Sequence, residues 1–148
     1  MQDTITIDDR LAVFTSQPTA EQLQQAAEAG FCSVMNLRVS EESGFVSDEG
    51  QSAEAAGLEY AHAPFAPGAI EVSQMDGILD RLDELPKPVL LHCKSGVRSA
   101  VTALMFLATR DGLSASEATE RGLQLGIDIS NSPVQSFFQA YLRDRAQP

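Results

Sequence analysis

The sequence predicts a three-layer α/β fold in which a central, mostly parallel β-sheet is flanked by helices. From residue 20 onward, short apolar segments suited to strands alternate with longer segments suited to helices. This alternation is typical of parallel sheets that carry helices on both faces. The segment 89–91 is apolar throughout, which indicates a strand buried on both faces.

Length and charge restrict the number of domains and the partners. The chain has 148 residues and shows no linker or repeat, so we expect a single domain spanning 1–148. Its net charge of −11 argues against nucleic acid and anionic membranes as partners. Two cysteines are too few for a disulfide framework. No secretory signal or membrane span is visible, so we expect a cytoplasmic location.

The N-terminal half supplies the first strands and helices. Two short strands joined by a turn at Asp8 and Asp9 are predicted at the edge of the sheet. Thr19 and Gln22 match a capping box, and Gly30 is suited to end the helix that follows. In order, the predicted elements are strands 4–7 and 11–14, helix 20–29, strand 31–37, a polar loop at 39–47, helix 48–56 and strand 58–62.

The C-terminal half continues the alternation around the apolar strand. Residues 100–108 are apolar except for Thr102, so the helix that contains them should be buried on all sides. Ser114 and Glu117 form a second capping box. In order, the predicted elements are loop 63–69, a helix capped by Ser73 and reaching residue 85, strand 89–91, the buried helix ending at Gly112, a helix from Ser114 to about 125, and a last helix opened by Ser132-Pro133 and reaching about 143.

The loop between strand 89–91 and the buried helix is the candidate functional site. The first N–H groups of a helix lack partners within it and carry the positive end of its dipole. A strand–loop–helix turn that contains a glycine is therefore suited to binding an anion. The predicted anion-binding residues are Lys94, Ser95, Gly96 and Val97.

Three residues of this loop have the chemistry of nucleophilic catalysis. The field at the helix start favours the thiolate form of Cys93. Arg98 offers a planar fork to two oxygens of a tetrahedral anion. Ser99 could donate a hydrogen bond to the sulfur when it leaves. We therefore predict Cys93, Arg98 and Ser99 as catalytic residues.

Other polar residues receive supporting or structural roles. His92 is expected to orient the loop through hydrogen bonds, and Arg38 either faces the site or forms a surface ion pair. Cys32 is expected in the core, and the acidic runs 8–9 and 41–42 on the solvated surface. The two histidines lie thirty positions apart, so we predict no metal site and no cofactor.

The loop and its flanking segments resemble the protein tyrosine and dual-specificity phosphatases. The chain is most similar to the phosphatase-like domain of the bacterial beta-lactamase hydrolase-like family, from about residue 10 to about residue 130. The resemblance implies a dual-specificity-phosphatase-like fold and a phosphatase that acts on a small anionic or phosphorylated substrate through a phosphocysteine. The segments that carry it are Gly30-Phe31 through Arg38, Gly57-Leu58-Glu59-Tyr60 before Pro64, Pro88 through Ser99, Gly112 through Ala118, and Gly126-Ile127-Asp128.

Two features depart from the phosphatase pattern. Those enzymes carry five residues between the cysteine and the arginine, whereas this Cys-x4-Arg loop carries four. They also use an aspartic acid in an upstream loop as general acid, but 63–69 contains neither Asp nor Glu. His62, Glu71 and Asp76 flank that segment, outside the position that the pattern requires. Losing a general acid typically slows catalysis by about 10²–10⁴.

The departures leave two alternatives open. Cys93, Lys94, Gly96, Arg98 and Ser99 resemble the rhodanese pattern Cys-Arg/Lys-x-Gly-x-Arg-Ser. That resemblance implies a sulfurtransferase that carries a persulfide on Cys93. The chain could also be a free-standing version of a module that is elsewhere fused to redox enzymes, which suggests a partner in sulfur metabolism. The other alternative is a non-catalytic module that binds anions, in which the cysteine is incidental.

Overall fold

A computed structural model of the chain describes residues 2–66, 69–129 and 134–145. The strands are β1 (Thr4–Thr6), β2 (Leu11–Phe14), β3 (Ser33–Asn36), β4 (Glu59–His62) and β5 (Val89–His92). The helices are α1 (Ala20–Glu28), α2 (Glu49–Ala55), α3 (Val72–Glu84), α4 (Val97–Asp111), α5 (Ala115–Gln124) and α6 (Gln135–Arg145). Within these ranges, none of the helices combines the length and the apolar character that crossing a bilayer requires.

The strands form a sheet in the order β1-β2-β5-β3-β4. β1 pairs antiparallel with β2, and the β2–β5, β5–β3 and β3–β4 pairs are parallel. Helices cover both faces, so the prediction of a three-layer, mostly parallel α/β fold is confirmed. The two N-terminal strands were both predicted at the edge, and this is correct for β1 only, because β2 lies second in the sheet.

Side chains that alternate along the central strands build two cores. Leu90 belongs to a cluster with residues of α1 and α2, such as Leu23 and Ala53. Val89 and Leu91 belong to a larger cluster on the other face, which contains apolar residues of α3, α4, α5 and α6. Successive strand residues point to opposite faces, so a strand covered on both faces can be apolar at consecutive positions, as residues 89–91 of β5 are. All residues of α4 from Arg98 to Ala108 are buried, as predicted.

The sheet register places three chain segments next to one another at the carboxyl edge. The last residue of β5, His92, pairs with Phe14 of β2 on one side and with Asn36 of β3 on the other. The residues that follow these strands are Thr15, Leu37 and Cys93. Ligands of parallel α/β sheets bind at this edge, and the loop predicted to bind an anion is part of it.

Three local predictions differ from the structure or fall outside it. The N-cap of α3 is Glu71 rather than the predicted Ser73, and the helix begins at Val72; the Oε1 of Gln74 accepts the N–H of Glu71 at 3.4 Å, as in a capping box. β3 begins only at Ser33, so Cys32 precedes the strand and is exposed rather than part of the core. The predicted start of the last helix at Ser132-Pro133 lies outside the described residues.

Two helix glycines allow a test of the packing. A Cβ added at Gly122 in α5 would lie 2.9 Å from a side-chain atom of Leu104 and 3.2 Å from the carbonyl oxygen of Ile127. A backbone atom cannot easily move away, so we expect Gly122→Ala to lower the free energy of unfolding by about 1–3 kcal/mol. A Cβ at the exposed Gly77 of α3 meets nothing within 4 Å. Gly77→Ala should therefore raise stability by about 0.5–1 kcal/mol.

Urea unfolding of the two variants and the wild type measures both changes. The change in the free energy of unfolding should be negative for Gly122→Ala and positive for Gly77→Ala if the packing around α5 is as described. A Gly122→Ala protein as stable as the wild type would contradict this packing.

Candidate active site

The loop after β5 curls around the sulfur of Cys93. This side chain is 1% exposed. Its Sγ accepts a hydrogen bond from the N–H of Gly96 at 3.2 Å and lies 3.6 Å from the Oγ of Ser99. Ser99 also bonds the carbonyl oxygen of Gly96 at 3.1 Å. The sulfur therefore has a backbone N–H and a hydroxyl within reach, at the start of a fifteen-residue helix.

Gly96 makes this curl possible. It is the N-cap of α4 and has a left-handed conformation, with φ 98° and ψ −11°. A side chain there would be strained in this conformation, and its Cβ would lie 3.4 Å from the Cα of Thr15. Lys94 and Ser95 are exposed at the mouth of the loop, and Val97 is 40% exposed.

Arg98 is buried, and hydrogen bonds from its Nη1 and Nη2 atoms fix the orientation of its guanidinium group. The Nη1 atom donates to the carbonyl oxygens of Leu37 at 3.3 Å and Phe65 at 3.1 Å. The Nη1 and Nη2 atoms together bind both oxygens of Glu42, with Nη2–Oε2 at 3.0 Å. No described residue accepts a hydrogen bond from Nε. Among the described residues, the Nε edge is therefore the part of the guanidinium group that has no protein acceptor.

Glu42 is the acidic partner that the sequence analysis missed. Its side chain is 13% exposed, so the prediction that the acidic run 41–42 is solvated surface is correct for Glu41 and wrong for Glu42. The hydrogen bonds from Arg98 lower the pKa of Glu42 to about 2, against the opposing effect of burial, and bonds from Val39 N–H and Arg38 contribute. Glu42 is thus ionised at neutral pH.

Arg38 supports Glu42 from the other side. It is 2% exposed, and its Nε donates to Glu42 Oε2 at 3.0 Å. It also donates to the carbonyl oxygens of Ser43 and Gly44 and to Oε1 of Gln17. Sequence reasoning left open whether Arg38 faces the site or forms a surface ion pair. The structure shows a buried ion pair that acts on the loop through Glu42.

His92 holds the other end of the loop. Its Nε2 lies 2.6 Å from Oε2 of Glu49, and both side chains are buried. Glu49 Oε1 accepts from Nε2 of Gln17 at 2.6 Å. In the described part of the chain, Nδ1 of His92 is buried without a hydrogen-bond partner. His92 thus reaches Glu49 at the first turn of α2, a contact for which the sequence carries no signal.

The other candidate acids lie elsewhere or have different partners. His62 is exposed, and its Nε2 contacts the carbonyl oxygen of Arg38 at 2.6 Å. Asp76 accepts a hydrogen bond from the hydroxyl of Tyr141. Glu71 is exposed and is the N-cap residue of α3. Within 2–66, 69–129 and 134–145, no group of three His, Cys, Asp or Glu residues is placed to hold a metal ion.

The low pKa of Glu42 predicts a component of acid lability. A carboxyl with a pKa of about 2 when folded and 4.5 when unfolded contributes stability that is fully present above pH 4.5 and is lost as the pH falls towards 2. The shift corresponds to about 3 kcal/mol as an upper bound. We expect Glu42→Gln to cost stability at neutral pH and the difference from the wild type to shrink between about pH 5 and pH 2.

Urea unfolding at several pH values checks this expectation. The exposed neighbour Glu41 supplies the matched control, because Glu41→Gln removes the same charge without breaking a contact with Arg98. A difference between wild type and Glu42→Gln that stays constant with pH would contradict the assignment.

Solved phosphatase structures share this fold. Tk-PTP in its active form matches with a TM-score of 0.80 and 27% identity, covering 97% of this chain and 98% of that chain. TpbA from P. aeruginosa, in complex with pTyr, matches with a TM-score of 0.74 and 15% identity over 99% of this chain and 91% of that chain. PTPMT1 in complex with PI(5)P matches with a TM-score of 0.78 and 16% identity over 97% of each chain. At these identities, the last two comparisons concern the fold alone.

Sequence comparisons agree with the resemblance seen in the motifs. The family model for the phosphatase-like domain of beta-lactamase hydrolase-like proteins matches residues 3–109. The beta-lactamase hydrolase-like protein of Agrobacterium fabrum is 27% identical over 128 residues, which is 84% of this chain. That of Xylella fastidiosa is 26% identical over 131 residues, or 86% of this chain. The chain spans about 30% of the length of these relatives. It belongs to the family of phosphatase-like domains of the beta-lactamase hydrolase-like proteins.

Proposed function

We propose that this phosphatase-like domain is a cysteine-dependent hydrolase of phosphomonoesters that forms a phosphocysteine on Cys93. The observation that carries the proposal is the position of Cys93 Sγ at the start of α4, 3.2 Å from the N–H of Gly96 and 3.6 Å from the hydroxyl of Ser99. Arg98 of the same loop has an Nε edge to which no described residue binds. The phosphorylated ligands of TpbA and PTPMT1, a phosphotyrosine and a phosphoinositide, support an anionic phosphorylated substrate.

The first chemical step would transfer the phosphoryl group to sulfur. The Cys93 thiolate attacks phosphorus, the S–P bond forms, and the P–O bond to the leaving group breaks. The leaving oxygen carries the electron pair of the broken bond and takes a proton from water. Loop amides and the Arg98 fork stabilise the charge on the equatorial oxygens.

The second step would release phosphate. Water attacks the phosphorus of the phosphocysteine and loses a proton to the solvent, the S–P bond breaks, and the electron pair returns to sulfur. The hydroxyl of Ser99 can turn towards Sγ, 3.6 Å away, and stabilise the thiolate as it leaves. The sum of both steps is a phosphomonoester plus water giving an alcohol or phenol plus phosphate.

The acidic residue that contacts Arg98 cannot serve as the general acid. Glu42 has a pKa of about 2 because of its hydrogen bonds with Arg98, so it holds no proton at neutral pH. The upstream segment 63–69 contains no carboxyl group. Leaving groups that depart without protonation should therefore react best.

Hydrolysis of p-nitrophenyl phosphate tests the proposal. We expect turnover by the wild type, none by Cys93→Ser, and a loss of about 10²–10³ in kcat for Arg98→Lys, which keeps the charge but removes the fork. Aryl phosphates should be hydrolysed much faster than alkyl phosphates, since no acid assists the leaving group.

The second cysteine supplies the matched control. Cys32 is exposed and precedes β3, at the end of the sheet opposite the loop, so Cys32→Ser should retain full activity. Wild-type turnover no greater than that of Cys93→Ser would remove the proposal.

Sulfur transfer is the second candidate, and the four-residue spacing between Cys93 and Arg98 favours it. Thiosulfate would give a persulfide on Cys93 with release of sulfite, and cyanide would then remove the outer sulfur as thiocyanate. Mass spectrometry after incubation with thiosulfate should show a gain of one sulfur on Cys93 if this chemistry occurs. A protein that neither gains sulfur nor hydrolyses aryl phosphates would be an anion-binding module.

A further inference from the structure

Both ends of the anion loop are joined to the same side chain, that of Gln17. At the start of the loop, His92 Nε2 lies 2.6 Å from Glu49 Oε2, and Glu49 Oε1 accepts from Gln17 Nε2 at 2.6 Å. Gln17 lies between β2 and α1, outside the loop in sequence. It therefore reaches the residue that precedes Cys93 through a single carboxylate.

The other end of the loop leads to the same amide. Arg98 binds the carboxylate of Glu42, whose Oε2 accepts from Arg38 Nε at 3.0 Å. Arg38 Nη1 in turn donates to Gln17 Oε1 at 2.8 Å. A continuous chain of side-chain hydrogen bonds thus runs from His92 to Arg98 and closes around the loop.

The chemistry of an amide explains why a glutamine occupies the junction. Its nitrogen donates to the Glu49 carboxylate and its oxygen accepts from the Arg38 guanidinium, so each half faces the group that it can bind. A glutamate would keep an acceptor for Arg38 but lose the donor to Glu49, and a methionine would lose both. Gln17 Nε2 also donates to the carbonyl oxygen of Pro18 at 3.2 Å, which fixes the amide plane.

The side chains that Gln17 links are buried, so the loss of its hydrogen bonds should affect the loop. Glu49, Arg38, His92 and Arg98 are between 0% and 5% exposed. Gln17 itself is only partly buried, but the side chains that it binds have little access to water. Hydrogen bonds to charged groups are stronger than neutral ones, and water replaces a lost bond poorly at such buried atoms. Without the Gln17 amide, Glu49 and Arg38 would each lose one hydrogen bond. Glu49 binds His92 at the start of the loop, and Arg38 acts through Glu42 on Arg98 at its end.

We propose that Gln17 is a positioning residue that couples the two ends of the anion loop, and that it thereby sets the affinity of the loop for phosphate and the reactivity of the site. This inference rests on the proposed function for its kinetic effect. The effect of Gln17 on phosphate binding can be measured even if the protein has no turnover, so the kinetic effect and the binding effect can be tested separately.

Three variants of the full chain test the coupling. Gln17→Met removes both hydrogen bonds at similar volume, and Gln17→Glu removes the one to Glu49 while retaining an acceptor for Arg38. The control is Gln24→Met, the same substitution at an exposed glutamine of α1. Near-UV circular dichroism selects the variants that fold as the wild type does, and Gln17→Glu remains informative if Gln17→Met does not fold.

The measured quantities are the rate of Cys93 alkylation by iodoacetamide, its protection by inorganic phosphate, and kcat and KM on p-nitrophenyl phosphate. We expect both Gln17 variants to raise the dissociation constant for phosphate, and to lower kcat/KM, by about tenfold. Gln24→Met should match the wild type in every quantity.

The outcomes separate the inference from the proposed function. Gln17 variants that equal Gln24→Met overturn the inference, whether or not the wild type hydrolyses phosphate esters. If Gln17→Glu binds phosphate and turns over substrate like the wild type while Gln17→Met is impaired, only the bond from Arg38 to Gln17 matters. That result would overturn the proposed coupling of the two loop ends. If the wild type does not hydrolyse phosphate esters, but phosphate protects Cys93 less well in the Gln17 variants than in the wild type, the inference is supported and the proposed function fails. A wild type that phosphate does not protect overturns both.

Discussion

The buried pair of Glu42 and Arg98 is the interaction on which the site depends. A guanidinium group at 5% exposure would be costly without a partner, because desolvation of an unpaired charge outweighs most contacts that a side chain makes. The chain meets this requirement with a carboxylate from the loop between β3 and α2. Two backbone carbonyl groups, those of Leu37 and Phe65, complete the partners of Nη1. Arg98 is thereby held in one orientation before any anion arrives.

The same requirement explains the loop between β3 and α2. Residues of this loop do not form a helix or strand, yet Arg38 and Glu42 are more buried than many residues of the regular elements. Arg38 binds two carbonyl oxygens of its own loop, so it folds the segment back on itself and presents Glu42 to Arg98. A segment that looks like a polar surface connection in the sequence is in this way part of the support of the site.

Features set by residue type and local pattern could be predicted from the sequence, and features set by distant partners could not. The apolar run of β5, the buried helix α4 and the capping boxes at Thr19 and Ser114 are local, and each was identified. The place of β2 in the sheet depends on the pairing of distant strands, and the register carries no local signal. Cys32 appeared to be a core residue only because the start of β3 was set two residues too early.

The side chains that support the site are among the features that depend on distant partners and could not be predicted from the sequence. The bonds that link Gln17 to Glu49 and Arg38, Glu49 to His92, and Glu42 to Arg98 span 21 to 56 positions in the sequence. Only the side-chain bond between Arg38 and Glu42 joins near neighbours in this chain of contacts. The spacing of four between Arg38 and Glu42 has meaning in a helix, but the segment was correctly read as a loop. Only the fold, by placing the carboxyl ends of β2, β3 and β5 together, makes these residues neighbours.

The balance of charge around the loop has a consequence for how it binds an anion. Arg38 and Arg98 both bind the carboxylate of Glu42, so part of their positive charge is already offset within the site. The whole chain carries a net charge of −11, which repels an anionic substrate at long range. If the loop binds an anion as proposed, the attraction would therefore act at short range, through the Nε edge of Arg98, the amide groups of the loop and the dipole of α4. A short-range interaction of this kind demands accurate geometry, and the contacts of Glu42 with Arg98 would supply it by fixing the orientation of the guanidinium group.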